Sequence, residues 1–154
     1  MKTKATGRKI ATLASLLLIS LLLVTKSGLA MLSLPQPQLV FAGKEDYEAN
    51  GKQFTRYNLS VCNRSDYPDT MFAPAPDLPP CGLNTRASRS WVDIFARDGK
   101  RLYGFCAFKS SDDLKGLWFA LPRGEAPPEF VYIVIADRKL NMKLRSNLAL
   151  TSTP

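Results

Sequence analysis

From Val24 to the C-terminus no stretch of ten or more residues carries an apolar helical period. Short apolar runs alternate instead with polar residues, and prolines and glycines separate them. That texture excludes a helical bundle and points to a chain of short strands. In RYNLSVCN, Tyr57, Leu59 and Val61 alternate with Asn58, Ser60 and Cys62, the period-2 signature of a half-buried strand. SWVDIFA over Ser90–Ala96 and RLYGFCAF over 101–108 flank Asp98-Gly99, which predicts a hairpin with a type I′ turn. The two-residue turn sets Phe95 opposite Leu102, Ile94 opposite Tyr103, Asp93 opposite Gly104, Val92 opposite Phe105 and Trp91 opposite Cys106. A short strand over Leu117–Leu121 stops at Pro122. Before it, Ser110 and Asp113 have capping-box spacing for one helical turn. EFVYIVIAD over 129–137 is a nearly continuous apolar strand, and MKLRSNLAL closes the pattern with Met142, Leu144, Ser146, Leu148 and Leu150 on one face.

Six to seven short strands in about 100 residues predict an all-β fold, a small antiparallel β-sandwich. The strand spacing, the Trp in a middle strand and the closing hairpin YIVIADRKLNMKLRSNLAL resemble immunoglobulin and fibronectin type III domains over about Phe54 to Leu150. The penultimate strand has no cysteine, unlike the immunoglobulin pattern. The resemblance implies a sandwich and no particular activity, because such folds host many functions.

Ahead of the strands, a basic head over residues 1–9 precedes the apolar run IATLASLLLISLLLV. About 15 residues suit the core of an export signal and fall short of the ~20 that span a bilayer. Gly28-Leu29-Ala30 places small residues at the cleavage positions, giving a signal helix over 1–30; cleavage after Ala42 is the alternative, and an uncleaved anchor through residues 10–24 the other. The 31–53 segment, with Pro35, Pro37 and the polar run GKEDYEANGKQ, reads as a flexible linker. The domain then covers 54–150 and a tail 151–154. Export implies a periplasmic or extracellular setting in which disulfides persist. Much of the net charge of +8 sits in the first 30 residues. Without Lys2, Lys4, Arg8, Lys9 and Lys26 the remainder is about +3, which argues against nucleic-acid binding.

Three cysteines allow one bridge and one leftover thiol. Cys62 falls on the polar side of its strand, so Cys81–Cys106 is the expected pair, with Cys62–Cys81 as the alternative. The absence of any histidine removes Ser-His-Asp and Cys-His catalysis and the commonest zinc ligand. No metal or cofactor is expected. Asp93, between Trp91 and Phe95, is expected to be a buried structural acid, bonded to loop N–H groups or an Arg. The other reading of it is an acid-based hydrolase.

The expectation for function is an exported, non-enzymatic, monomeric domain that binds a protein, peptide or glycan, touching membrane only through an uncleaved N-terminus. The candidate contact patch is the stiff loop DTMFAPAPDLPPCGLN, with Met71, Phe72, Asp77 and Leu78. Its prolines reduce the entropy lost on ordering. A structural envelope protein and a protease-inhibitor-like loop presenter are the alternatives. Burial of Phe72 separates the classes, since a contact residue must face solvent.

Overall fold

A computed structural model describes residues 34–78 and 88–152. They form eight antiparallel strands in two sheets, with no α-helix. The strands are β1 (Leu39–Ala49), β2 (Lys52–Val61), β3 (Ser90–Ala96), β4 (Arg101–Phe105), β5 (Leu117–Pro122), β6 (Phe130–Asp137), β7 (Met142–Arg145) and β8 (Ala149–Leu150). One sheet has the order β1-β2-β5. The other runs β4-β3-β6-β7, and β8 continues along the same β6 edge as β7. The core between them holds Leu39, Tyr57, Leu59, Val61, Val92, Ile94, Leu117, Phe119, Val131, Ile133 and Ile135.

The strand expectations for β2 to β7 hold, and two details differ. Asp98-Gly99 does not form a type I′ turn, because only Gly99 has positive φ (91°). Gly99 N–H donates to Ala96 O, and Ala96 N–H to Lys100 O, both at 2.9 Å. This is a type I turn closed by a left-handed glycine, so the loop takes three residues. The extra residue is absorbed at Leu102: Phe95 faces Arg101, while the Ile94–Tyr103, Asp93–Gly104 and Val92–Phe105 pairs stand as expected. β4 ends at Phe105, before Trp91 and Cys106 could pair.

The second difference lies in the closing segment. Ser146 is buried on the core side, its N–H donating to Ile133 O at 3.0 Å and its Oγ accepting from Ile133 N–H at 2.9 Å. Asn147 and Leu148 then insert an extra residue between ladder positions, so Ala149 turns inward while Leu148 and Leu150 are 41% and 43% exposed. The shared apolar face expected through Leu150 therefore ends at Ser146, as a one-residue shift moves side chains to the opposite face.

The linker expected over 31–53 is overturned within the described residues, where Leu39–Ala49 is an eleven-residue strand paired with β2. Asn50 and Gly51, both at positive φ (51° and 69°), make the tight turn that joins them. The strand escapes a simple alternation test because of a bulge at Ala42, where Phe41 pairs with Leu59 but Gly43 with Asn58. Gly43 has φ +118°, a conformation side chains rarely adopt. The bulge reverses the faces of β1: Leu39 and Phe41 point into the core, whereas Tyr47, opposite Phe54, lies on the outside of the sheet.

Candidate functional site

Of the four loop residues expected to form a contact patch, Met71 and Phe72 are buried, 3% and 0% exposed, and belong to the core. Ser90 Oγ–H donates to Met71 O at 2.5 Å, Arg89 N–H donates to Ala73 O at 2.9 Å, and Pro74 bridges to Ser88. Asp77 is exposed and pairs with Lys139 at 3.1 Å; that hydrogen bond holds its carboxyl below the usual range. Leu78 is half-buried. Met71 and Phe72 do not face solvent as a contact patch requires, because their side chains pin the crossover to the sandwich core. Cys81 lies outside the described residues. Cys62 is an exposed free thiol and Cys106 is buried.

Asp93 is not buried as expected. It stands on the outer face of β3, its side chain 26% exposed. Arg101 Nε donates to its Oδ1 at 2.7 Å, and so does Trp91 Nε1 at 2.7 Å. The arginine partner anticipated for it is present, but the alternation of β3 buries Ser90, Val92, Ile94 and Ala96 instead. Gly104 makes the pairing possible: a Cβ there would stand 2.0 Å from Arg101 Nη2 and 2.6 Å from Asp93 Oδ1.

The two lateral edges of the sandwich differ. On the β1/β8 side Asn147 ties the sheets together: its Oδ1 accepts from Leu39 N–H at 2.7 Å and its Nδ2 donates to Leu39 O at 3.0 Å. On the other side the edge strands β4 and β5 leave an open groove of about 530 Å³. Phe105, Phe108 and Leu117 form its apolar wall, Tyr103 its mouth, and Asp113 and Lys115 its far rim. Both rim charges have local work. The Asp113 carboxylate accepts from Lys109 N–H (2.6 Å) and Ser110 N–H (3.4 Å), making the expected helical turn over Ser111–Lys115, and Lys115 pairs with Asp112.

A continuous file of rings leads out of the core to this edge. Buried Phe72 meets Phe108 (5.7 Å between ring centres), Phe108 meets Phe105 (6.3 Å), and Phe105 meets Trp118 edge-on (6.0 Å). Trp118 stacks on Tyr103 at 4.7 Å and touches Tyr47 at 5.9 Å, which in turn meets Phe54 at 6.2 Å. Arg56 lies over both Tyr47 (5.7 Å) and Trp118 (5.4 Å). Glu45 holds it there, accepting from Arg56 Nε at 2.8 Å; hydrogen bonds from Asn58 and the Arg56 charge keep the Glu45 carboxyl below its usual range. Tyr103 is 39% exposed, and Tyr47, Phe54, Phe105 and Trp118 are half-exposed. Sequence reading named none of these as site residues. Trp118 and Tyr103 belong to different sheets, so no local period brings them together.

Among the described residues no group of three or more His, Cys, Asp or Glu side chains could hold a metal, and no helix is long and apolar enough to cross a membrane. No protein-family model matches the chain, no curated protein is similar to it, and no solved structure matches its fold.

Proposed function

We propose that this chain is an exported, non-enzymatic domain of the immunoglobulin/fibronectin type III kind that takes an extended protein segment along the β4–β5 seam. The sandwich supports the family reading through its strand orders. β1-β2-β5 and β4-β3-β6-β7/β8 correspond to the A-B-E and C′-C-F-G orders of those domains. The basic, apolar and small-residue segments of residues 1–30 support export. Cys106 is buried and Cys62 is a free exposed thiol, which supports Cys81–Cys106 as the bridge and an oxidising setting.

The observation that carries the binding reading is the half-exposed file Phe105–Trp118–Tyr103–Tyr47 beside two sheet edges whose outer sides have no strand partner among the described residues. A strand-like segment gains main-chain hydrogen bonds from an open edge and side-chain pockets from the adjoining groove. Tyr and Trp supply large contact area at low entropic cost. A non-enzymatic role is favoured by the engagement of the acids: beside the groove Asp112 with Lys115 and Asp113 with backbone N–H groups, and on the outer face of β3 Asp93 with Arg101.

The test is selection of binders from a displayed library of random extended peptides, on the chain and on its Trp118→Ala and Tyr103→Ala variants. Peptides enriched on the parent and lost on both variants are expected. Enrichment that survives both substitutions, or none at all, leaves the structural envelope role as the better account.

A further inference from the structure

The outer face of the five-stranded sheet carries rings and cations. The alternation of β3 puts Trp91, Asp93 and Phe95 outward, and Arg97 extends the row, its N–H donating to Phe130 O at 3.1 Å. Across the ladder stand Phe130, Tyr132, Val134 and Ala136 of β6, then Lys143 and Arg145 of β7, with Arg101 of β4 on the far side. On the strand positions of this face Asp93 is the one acid among the described residues, and Arg101 engages it; Asp98 and Glu129 flank Arg97 and Phe130 at the turn end of the face. Arg101, Lys143 and Arg145 against Asp93 leave a net charge of about +2 on the strand positions, Arg97 adds a cation in the adjoining turn, and the side chains of all four cations are exposed.

The three arginines are held on the rings rather than swinging free. Arg145 lies 3.9 Å above the centre of the Tyr132 ring, Arg97 5.5 Å above Phe130 and Arg101 5.9 Å above Trp91. Tyr132 is itself stacked on Phe95 at 5.3 Å. Gly104 leaves the space through which Arg101 reaches inward, in the cross-strand row of Asp93, Val134 and Arg145. Since strands are about 4.8 Å apart, the backbones at the two ends of that row stand about 14 Å apart, and Arg101 and Arg145 both reach inward from those ends, onto Trp91 and Tyr132.

We infer that this face binds an acidic polysaccharide, with Arg97, Arg101 and Arg145 as its cationic contacts. Guanidinium groups fixed by stacking present planar forks to carboxylates with little side-chain entropy left to lose. The arrangement disfavours single-stranded nucleic acid, whose bases need open ring faces, because arginines cover the faces of Trp91, Phe130 and Tyr132. It also differs from a lipid-surface patch, where mobile headgroups are met by cations on free stems. Arg101 shares β4 with the seam, whereas Arg97 lies in the β3–β4 turn and Arg145 on β7, so substitutions at Arg97 and Arg145 test this reading apart from the seam.

The test is binding of the purified full chain to immobilised polygalacturonate, with neutral dextran, a single-stranded oligonucleotide and phosphatidylglycerol vesicles alongside. Binding to polygalacturonate that weakens steeply between about 50 and 200 mM salt is expected, with none to dextran. Arg97→Ala with Arg145→Ala should cost at least about tenfold and flatten the salt slope by about two. Arg145→Lys should also weaken binding, because lysine keeps the charge and loses the fork. The charge-matched pair Lys44→Ala with Lys52→Ala, on the β1–β2 hairpin, should change little. No binding at 50 mM salt overturns the inference, as does equal loss in the two double variants or preference for the oligonucleotide or the vesicles.

Discussion

Phe72 decides between a loop that binds and a loop that packs, and Phe72→Ala measures which it is. Its ring is 0% exposed, meets Phe108 at 5.7 Å in an edge-on contact, and sits in the core cluster with Met71 and Leu114. Phe→Ala at such a site removes the transfer energy of the ring and leaves a cavity, for a cost of about 3–5 kcal/mol. The edge-on aromatic pair accounts for about 0.5–1.5 kcal/mol beyond area burial. Collapse of the 69–78 crossover into the space would lower the figure, but its bonds to Ser90 and Arg89 restrain that movement. With a urea m-value of about 2 kcal/mol/M, a loss of about 4 kcal/mol moves the midpoint down by about 2 M. Trp91 and Trp118 fluorescence would follow the transition. Phe72→Leu, closer in volume and still apolar, should recover most of the loss. A midpoint for Phe72→Ala within about 0.3 M of the parent would refute the packing argument, since changes of about 0.5 kcal/mol or less belong to exposed positions.

Other expectations follow from individual contacts. Burial pushes the Asp137 carboxyl up, but the Arg89 fork (2.9 and 2.5 Å) and the Leu140 and Lys139 N–H groups outweigh it and hold its pKa below the usual value. A depressed carboxyl contributes its full stability above about pH 4 and loses it as pH falls through the folded value. Asp137→Asn should therefore cost about 2–3 kcal/mol at neutral pH and flatten the acid limb of a stability–pH curve; an unchanged limb assigns that limb to other carboxylates. Gly104→Ala should displace Arg101 from both Asp93 and Trp91, costing about 1 kcal/mol in thermal unfolding, and no change would mean the pair contributes nothing. Alkylation of the native protein should label Cys62 alone, with two further thiols released on reduction; two or three labels before reduction contradict a Cys81–Cys106 bridge.

Much of the sandwich was legible because one sheet face is buried. The alternation in SWVDIFA places β3 to the residue, and the apolar run of β6 marks the strand that β3, β7 and β8 all flank. β1 was hidden for two physical reasons. Its bulge at Ala42 breaks the period, and beyond that bulge Lys44, Asp46 and Glu48 are exposed, so the segment imitates a linker. Asn50-Gly51 was the signal that should have prevailed over composition. Asp93 was misplaced for the opposite reason: both faces of the hairpin are apolar, and only the stacking of Arg101 and Arg145 on the outer rings explains how the Trp91 face tolerates water. The seam site was out of reach because its rings come from β1, β2, β4 and β5 and meet only when the two sheets close.

The central claim is that ligand docks at the β4–β5 edge and not at the proline-rich crossover. The most direct measurement is backbone amide hydrogen exchange or chemical-shift mapping of the isotope-labelled chain with a selected peptide. The account predicts new protection or shifts over Arg101–Phe105 and Leu117–Leu121, with Trp118 strongly affected and residues 69–78 unchanged. Perturbation centred on residues 69–78, with the β4 and β5 amides unmoved, would contradict it.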